Sequence, residues 1–277
     1  MTVKHESLFI RIRRQLPPLN FREFQAFLYG PKVLANSFPK SGTHLLTRVL
    51  SLLPLLVPHW TYHVSPKTPQ LSQKLSKVRK GQYISGHLCW DRTLAGLLDV
   101  SNIRTLLIIR DLRDIAVSNA YYITYISSNH RLSPYFNSLN SDDERLMASI
   151  VGVDGRYLAD GKRSKCLGEM AMTYTPWFDE PGCLTLRFED LIGNAGDGSD
   201  KKQLETVRTI AHHLGLDLTE NQLGQVARRV FHTGAPTFRK GQIGDWRNHF
   251  TDEHKRAFKE TSGEALIRWG YANGYDW

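Results

Sequence analysis

A short, continuous apolar run constrains the fold of this chain more than any other feature. The run RTLLII (Arg104–Ile109) has no polar alternation and is too short for an ordinary helix. Apolar strands of this kind are buried on both faces, as in parallel sheets that helices cover. A second buried strand is predicted at CLTLRF (Cys183–Phe188). The two runs therefore favour an α/β fold.

Helical patterns alternate with strands along the rest of the chain. Shorter strands are predicted at Val33–Ser37 and Gln82–Ser85, whereas Pro58–Lys80 is polar and Ser127–Glu180 has no dominant period. This alternation predicts three layers, with a central, mostly parallel sheet flanked by helices. No internal repeat or low-complexity tract is present, so we predict one domain over residues 1–277. The predicted helices are Thr43–Leu53, Leu71–Val78, Asp111–Tyr125, Lys201–Leu214, Thr219–His232 and Thr251–Trp269.

The charge balance points to an anionic partner. Lysine and arginine outnumber aspartate and glutamate, for a net charge of +9. Such a surplus suits nucleic acid, a membrane surface or a small anionic substrate, and the alternative is a merely basic, solvated surface. No segment approaches the ~20 apolar residues that cross a bilayer, and the amino-terminal charges do not fit a signal peptide. We therefore expect a cytoplasmic protein.

The three cysteines do not indicate a structural framework. They are too few and too scattered for a set of disulfides, and none forms a C-x-x-C pair that would indicate zinc. A reducing compartment is expected, and no metal site is predicted.

The first motif, PKSGTH, follows a predicted strand and opens the next helix. It lacks the usual phosphate-loop pattern G-x-x-x-x-G-K-[ST]. The helix start nevertheless offers N–H groups and a positive dipole end to an anion. Gly42 allows close backbone approach, Ser41 and Thr43 offer hydroxyls, and Lys40 offers a mobile charge. The alternative is an ordinary helix start with an exposed lysine.

The second motif, RDLRDIAVS, begins where the strand RTLLII ends. Arg110 directly follows the strand, so it falls at the sheet edge where α/β proteins bind ligands. Ser118 lies about two helical turns further on. The alternative is that Arg110 and Arg113 simply pair with Asp111 and Asp114.

The third motif, FRKGQIGDWRNHF, spans Phe238–Phe250. Arg239 and Lys240 stand beside Gly241, and two cations on a glycine-bearing loop suit a phosphate dianion. A basic surface loop is the alternative interpretation.

In order and spacing the three motifs resemble those of the soluble, cytosolic-type PAPS-dependent sulfotransferases. PKSGT resembles that family's loop for the 5′-phosphosulfate, RDLRDIAVS its 3′-phosphate element, and RKGQIGDWRNHF its carboxyl-terminal signature RKGxxGDWKNxF. The resemblance covers the chain from Val33 to about Phe250. It implies a P-loop-like fold related to the P-loop NTPases and an activity of the EC 2.8.2 type. The donor would be 3′-phosphoadenosine 5′-phosphosulfate (PAPS), and the nucleotide product would be PAP.

The same resemblance assigns roles to single residues. An oxygen or nitrogen of the acceptor would attack sulfur in line, and Lys40 would stabilise the bridging oxygen as the bond to it breaks. Gly42 and Thr43 would hold the 5′-phosphate, and no metal ion would be required. The remaining residues expected at the cofactor are Ser41, His44 and Phe188, with Arg110, Ser118, Arg239, Lys240 and Gly241 at the 3′-phosphate.

A histidine is expected to act as the base, because its pKa lies near neutrality. In ISGHLCW, His87 directly follows a predicted strand, at the place where the family has its catalytic histidine. A structural histidine is the alternative, in which case His63 or His44 would be the next candidates.

The sequence also departs from the family pattern. Thr43-His44-Leu45 replaces the Thr-Thr-Trp that is frequent in relatives, and Phe188 stands where a tyrosine is frequent. Ser85 replaces a lysine that is common two residues before the histidine. The family's dimer element, KxxxTVxxxE, is not matched, so we expect a monomer or a weak homodimer.

The acceptor is expected to be a small molecule, and the chain looks like a bacterial member of the family that modifies a polar secondary metabolite. Candidate acceptor contacts are Trp60, His63, Asp91 and Tyr121. This set is more polar than a steroid pocket would require. The alternative for Asp91 is that it caps a helix beginning near Arg92. Either O- or N-sulfation is compatible with these residues.

Two other function classes remain open at this point. A nucleotide-dependent phosphotransferase would require a magnesium-binding hydroxyl and carboxylate, and it would not need cations for a 3′-phosphate. A nucleic-acid-binding protein would require a basic stripe interleaved with aromatics, whereas these cations cluster in three nucleotide-like motifs. We therefore expect neither a nucleic-acid nor a membrane partner.

Overall fold

The computed structural model describes residues 21–231 and 240–277, which fall into two compact units. Of the described residues, the sheet unit comprises 21–109 together with 177–231, and the helical unit comprises 110–176 together with 240–277. The predictions that concern Arg239 and His232 lie outside the described residues. The prediction of one domain over the whole chain stays a prediction.

In the part of the chain that the structure describes, the sheet unit has five strands, which all run parallel. Their order across the sheet is β2-β3-β1-β4-β5, so the chain places strands on both sides of β1. The parallel sheet confirms the predicted fold class. The strands are β1 (Lys32–Ser37), β2 (Val57–Val64), β3 (Gln82–Gly86), β4 (Ile103–Ile109) and β5 (Cys183–Arg187).

Helices pack on this sheet, as the buried strands require. Within β1, Val33, Leu34 and Ala35 are fully buried, as are Leu106–Ile108 of β4. This burial explains why the run RTLLII carries no polar alternation. The helices of the unit are α1 (Phe21–Tyr29), α2 (Thr43–Leu52), α3 (Leu71–Ser76), α4 (Arg92–Val100), α9 (Phe188–Leu191), α10 (Asp200–His213) and α11 (Glu220–Ala227).

The helical unit buries its own apolar cluster, which includes Ile123, Phe136 and Val153. Its longest helix, α12 (Asp252–Arg268), packs against α5 (Leu112–Tyr121), α7 (Asp142–Val151) and α8 (Leu167–Met172). A single turn of π-helix (Tyr122–Ile126) follows α5, where the sequence predicted that the α-helix would continue. The helices of this unit are α5 (Leu112–Tyr121), α6 (Ser133–Ser138), α7 (Asp142–Val151), α8 (Leu167–Met172) and α12 (Asp252–Arg268).

Two parts of the sequence prediction are wrong in detail. The polar segment Pro58–Lys80 contains most of strand β2, and Ser127–Glu180 contains three α-helices and two short 3₁₀-helices rather than irregular chain. The sequence did not indicate this strand, because β2 lies at the edge of the sheet and its histidines and proline are not typical of a buried strand. Among the described residues, no helix has both the length and the apolar character needed to cross a membrane.

Candidate active site

The loop between β1 and α2 has an unusual backbone. Lys40 (φ 68°) and Gly42 (φ 106°) both adopt left-handed conformations. A Cβ atom at Gly42 would lie 2.7 Å from the ring of the buried Phe188, so only glycine fits this turn. No side chain caps the start of α2. The backbone N–H groups of its first turn can therefore serve an anion.

Ser41 and Thr43 have different surroundings on this loop. The buried Ser41 hydroxyl lies 2.6 Å from the Phe38 carbonyl and 2.7 Å from that of Ile108, so it anchors the loop to β4. Its predicted contact with the cofactor stays a prediction, and its hydroxyl hydrogen is already engaged. Thr43 Oγ1 lies 2.8 Å from Ser37 Oγ at the end of β1.

His87 follows β3 directly and is held by the backbone of β1. Its Nδ1 lies 2.8 Å from the Ser37 carbonyl oxygen and 3.1 Å from Ser37 Oγ. A carbonyl oxygen can only accept, so Nδ1 carries the hydrogen and neutral His87 has its lone pair on Nε2. The His87 backbone N–H also donates to the Val64 carbonyl at 3.0 Å. This arrangement suits a general base.

The sequence analysis missed the residues that support His87. Asn36 in β1 is fully buried, and its amide donates to the Leu88 carbonyl at 2.8 Å and accepts from the Leu88 N–H at 2.9 Å. The buried Trp177 donates from its indole nitrogen to the same carbonyl at 3.0 Å. The signal was present as two polar residues, Asn36 and Ser37, at the end of an otherwise apolar strand.

Three histidines gather at this edge of the sheet. His63 Nδ1 lies 3.0 Å from Ser85 Oγ, and the ring of His63 meets that of His87 edge-on, 4.7 Å between centroids. His44 lies in the first turn of α2. Among the described residues, no group of three or more histidine, cysteine or carboxylate side chains is arranged to hold a metal ion.

The surroundings keep these imidazoles neutral. Burial is the largest cause that lowers the pKa of His87, Lys40 and His44 lower it further, and the Ser37 carbonyl opposes them. Partial desolvation also lowers the pKa of His63 to about 4, although part of its side chain is exposed, and His87 and His44 lower it further. The pKa of the likewise exposed His44 is lowered by partial desolvation and then by the Lys40 charge. The candidate base is thus ready to accept a proton at neutral pH.

The second motif lies in the helical unit, where most of its charges bind each other. Arg113 donates to Asp111 at 2.7 Å, and its guanidinium lies 4.2 Å from the ring of Trp246 and 4.5 Å from that of Trp277. For this pair, the alternative of simple charge pairing is the one the structure adopts. Arg110 is also buried, and its Nη2 lies 3.7 Å from Asp114.

The third motif meets the second inside the same unit. Arg110 Nη2 donates to the Gln242 carbonyl at 2.6 Å, and Asp114 accepts from the N–H groups of Gly244 and Trp246 at 2.8 and 2.9 Å. Burial raises the pKa of Asp114, which Arg110 and the two N–H groups oppose. The structure therefore brings Arg110 next to the loop that carries Gly241 and Gly244, and the binding of a 3′-phosphate by these residues stays a prediction.

The other predicted 3′-phosphate residues in the described range also belong to this unit. Lys240 Nζ lies 3.0 Å from Asp245 Oδ1, so its charge already has a carboxylate neighbour. Gly241 has a positive φ of 64°, and Ser118 is half-buried on α5. Their contacts with a nucleotide stay predictions.

The residues expected at the acceptor have different surroundings within their own units. Asp91 accepts from the Leu94 N–H at 3.0 Å and caps α4, which is the alternative given for it above. Trp60 borders a cavity of about 910 Å³ whose lining includes the exposed cations Lys77 and Lys80 but not His87. Tyr121 is 40% exposed in the helical unit. Within the sheet unit, only His63 of this set is in contact with His87.

A family model and curated relatives both match this chain, and all of them are sulfotransferases. The family model described as a sulfotransferase domain matches residues 30–270. Human sulfotransferase 6B1 is 25% identical over 256 residues, which cover 84% of this chain and 76% of that protein.

Two solved structures have the same fold. Mouse sulfotransferase SULT7A1, complexed with PAP, superposes with a TM-score of 0.60 at 20% identity and covers 91% of this chain and 93% of its own. Retinol dehydratase, in complex with androsterone and the inactive cofactor PAP, gives a TM-score of 0.56 at 14% identity, with 87% and 82% covered.

Proposed function

Because this chain belongs to the sulfotransferase domain family, we propose that it transfers the sulfuryl group of PAPS to a hydroxyl or amine of a small, polar acceptor. The observation that carries the proposal is the bridge made by Ser37. Its hydroxyl lies 2.8 Å from Thr43 on the predicted phosphosulfate loop, and the same residue lies against Nδ1 of His87. One residue of β1 thus connects the predicted donor loop with the predicted base.

The loop fits a phosphosulfate by its chemistry. The uncapped start of α2, the Gly42 turn and the Lys40 side chain combine N–H donors, close backbone approach and positive charge. When bound, PAPS would supply an activated sulfuryl group whose leaving group is a phosphate. Gly42, Thr43 and His44 would hold the 5′-phosphate end, and Lys40 would neutralise the charge that develops on the bridging oxygen.

The proposal assigns the proton of the acceptor hydroxyl to His87. Nε2 of His87 would take the proton of the acceptor hydroxyl as that oxygen attacks the sulfuryl group, and the phosphate would be the leaving group. The hydrogen bond from Nδ1 to the Ser37 carbonyl stabilises the imidazolium that results.

The nucleotide's 3′-phosphate is assigned by resemblance to residues of the helical unit. Arg110 and Lys240 would supply charge, and Ser118 and Gly241 would supply hydrogen-bond donors. Arg239 has the same proposed role. Under this proposal, residues of the second and third motifs contribute binding affinity, whereas the loop and His87 contribute the chemistry. We also propose that the two units act as one catalytic domain.

Calorimetric titration tests the choice of donor. We expect PAP to bind without added metal, to weaken as salt increases, and to bind more tightly than ATP or a short oligonucleotide. Adenosine 5′-phosphosulfate, which lacks the 3′-phosphate, should bind more weakly than PAP. Equal affinities for the two compounds would overturn the 3′-phosphate assignment. A PAPS-dependent screen of small phenols, alcohols and amines, read by mass spectrometry, would identify the acceptor class. If PAPS sulfonates none of them and ATP phosphorylates one, the proposed function is wrong.

A further inference from the structure

An irregularity in the sheet positions His63. Strands β2 and β3 pair regularly at Val57 and Pro58, but the next partners are His63 with Ser85 and Val64 with Gly86. Between these pairs, β2 advances five residues while β3 advances two. Extra residues of this kind bend a strand and redirect its side chains, and they are frequent next to active sites.

The redirected His63 ring is anchored at one end and packed at the other. Its Nδ1 lies 3.0 Å from the hydroxyl of Ser85, a residue that is 2% exposed. Its ring then meets the ring of His87 at 4.7 Å and an interplanar angle of 70°. Ser85 and His87 are two residues apart on one strand and its extension, so their side chains share a face of the sheet.

The opposite side of His87 is held by β1. Its Nδ1 donates to the Ser37 carbonyl at 2.8 Å. The imidazole therefore lies between a backbone carbonyl on β1 and a second imidazole on β2. The carbonyl determines the tautomer, and the two contacts together restrict the direction of the ring.

We propose that His63 is a positioning residue for His87: anchored on Ser85, it holds the His87 ring against the Ser37 carbonyl so that Nε2 faces the acceptor. This inference rests on the proposed role of His87 as the base. Among the described residues, His87 is the one group made reactive by the proposal that His63 contacts, so the effect of His63 passes through His87.

The charges around the pair are consistent with this role. The groups that act on His87 are Lys40 on the loop, His44 on α2 and the Ser37 carbonyl on β1. His63, on β2, has a pKa of about 4, which the neighbouring His87 helps to lower. When His87 holds the proton of the acceptor, His63 is therefore still neutral, and an aromatic ring rather than a second cation lies beside the imidazolium.

The test is a double-mutant cycle in the full chain, with His63→Gln, His87→Ala and the double variant. We expect His63→Gln to lower kcat by about 10- to 100-fold, the effect of a misplaced catalytic group, with PAP affinity unchanged. In the His87→Ala background, the same substitution should lower kcat no further, because its effect passes through His87. An equal loss in both backgrounds would overturn the inference, as would the absence of any loss from His63→Gln alone.

Two further readouts separate positioning from a general loss of structure. Removing the His63 ring admits water to His87, so the acid limb of kcat/KM should move to higher pH, towards the ordinary histidine pKa of about 6.5. The loss should also be larger for an alcohol acceptor than for an acidic phenol, which needs the base less. A uniform loss with an unshifted pH profile would assign His63 a structural role only.

Two variants serve as companions. Ser85→Ala keeps the His63 ring but removes its anchor, so it should give a smaller change in the same direction. His59→Gln, on the same strand, changes a buried histidine whose Nδ1 accepts from the Thr61 N–H, and it should leave the acceptor dependence unaltered. If His87→Ala itself costs nothing, the proposed function of His87 fails, and that outcome is distinct from a failure of His63 alone.

Discussion

The predicted phosphosulfate loop in the sheet unit and the second and third motifs in the helical unit use their polar residues differently. In the sheet unit, His87 is fixed through Nδ1 and presents Nε2, and the start of α2 has no side-chain cap. In the helical unit, Arg113 is bound by Asp111 and lies between two indole rings. Asp114 is occupied by two backbone N–H groups. The first region leaves groups available for chemistry, whereas the second binds most of its charges internally.

This difference indicates that the residues of one motif have different roles, some in binding or chemistry and others in stabilising the fold. The aspartates of RDLRDIAVS and the tryptophan of GDWRN stabilise the fold that positions Arg110 and the 240–242 loop. Buried charges persist only when they are paired and hydrogen-bonded, as these are. Substitutions in the two regions should therefore separate into losses of rate and losses of stability.

The largest effect is expected from His87→Ala. Removing a positioned general base should lower transfer by about 10²–10⁴-fold, while PAP binding and the melting temperature stay near those of the wild type. His212→Ala, an exposed histidine of the same unit, is the matched control. A loss below about threefold with every acceptor, well under the range for a general base, would leave His87 without a catalytic role.

A somewhat smaller loss is expected from Lys40→Met. The lysine charge matters most once the bridging oxygen becomes negative, so turnover should fall by about 10²–10³-fold while PAP affinity changes little. Single-turnover rates and a PAP titration measure the two quantities. Lys80→Met, at an exposed position, provides the comparison. Normal turnover in the Lys40 variant would remove this residue from the mechanism.

Asp114→Asn tests whether the buried charges of the helical unit stabilise the fold. The amide oxygen can still accept, but the nitrogen cannot replace the second oxygen for Gly244 and Trp246, and the pair with Arg110 is lost. Leaving one buried donor unsatisfied costs about 1–3 kcal/mol, which lowers the melting temperature by about 2–4 °C per kcal/mol. Asp143→Asn, an exposed aspartate of the same unit, should not change it. An unaltered melting temperature for Asp114→Asn would contradict the structural role.

The smallest effect is expected from pH. His44, His63 and His87 have pKa values below 6.5 in the folded chain, so the unfolded chain binds more protons at mildly acidic pH. The contribution of these neutral histidines to the free energy of unfolding is fully present above about pH 6.5. It is lost as the pH falls towards about 4, the pKa of His63. Melting temperatures between pH 7.5 and pH 4.5 should show a smaller fall for His63→Gln than for the wild type. Identical slopes would mean that His63 titrates normally.

Much of the fold could be predicted because its signals are local. The runs RTLLII and CLTLRF both form strands, and the helices α2, α10 and α12 begin within one residue of their predicted starts. Strand β2 could not be predicted, since its extra residues interrupt the alternation that identifies a strand.

The site was only partly predictable, for a physical reason. Lys40, Gly42 and His87 occupy positions that a strand end or a helix start determines, so the sequence could indicate them. The supports of His87, namely Ser37, Asn36 and Trp177, come from other strands and from 90 residues further along the chain, and only folding brings them together. The same holds for the contact of His63 with His87, which depends on an irregular strand pairing.

The most direct test of the central claim compares His87→Ala with Asp114→Asn in one experiment. Single-turnover transfer from saturating PAPS to a saturating acceptor is measured well below the melting temperature of each variant. The account predicts that His87→Ala melts like the wild type and transfers about 10²–10⁴-fold more slowly. It predicts that Asp114→Asn melts earlier but transfers at a rate close to that of the wild type. The reverse pattern, with a fast His87 variant and a stable but slow Asp114 variant, would contradict it.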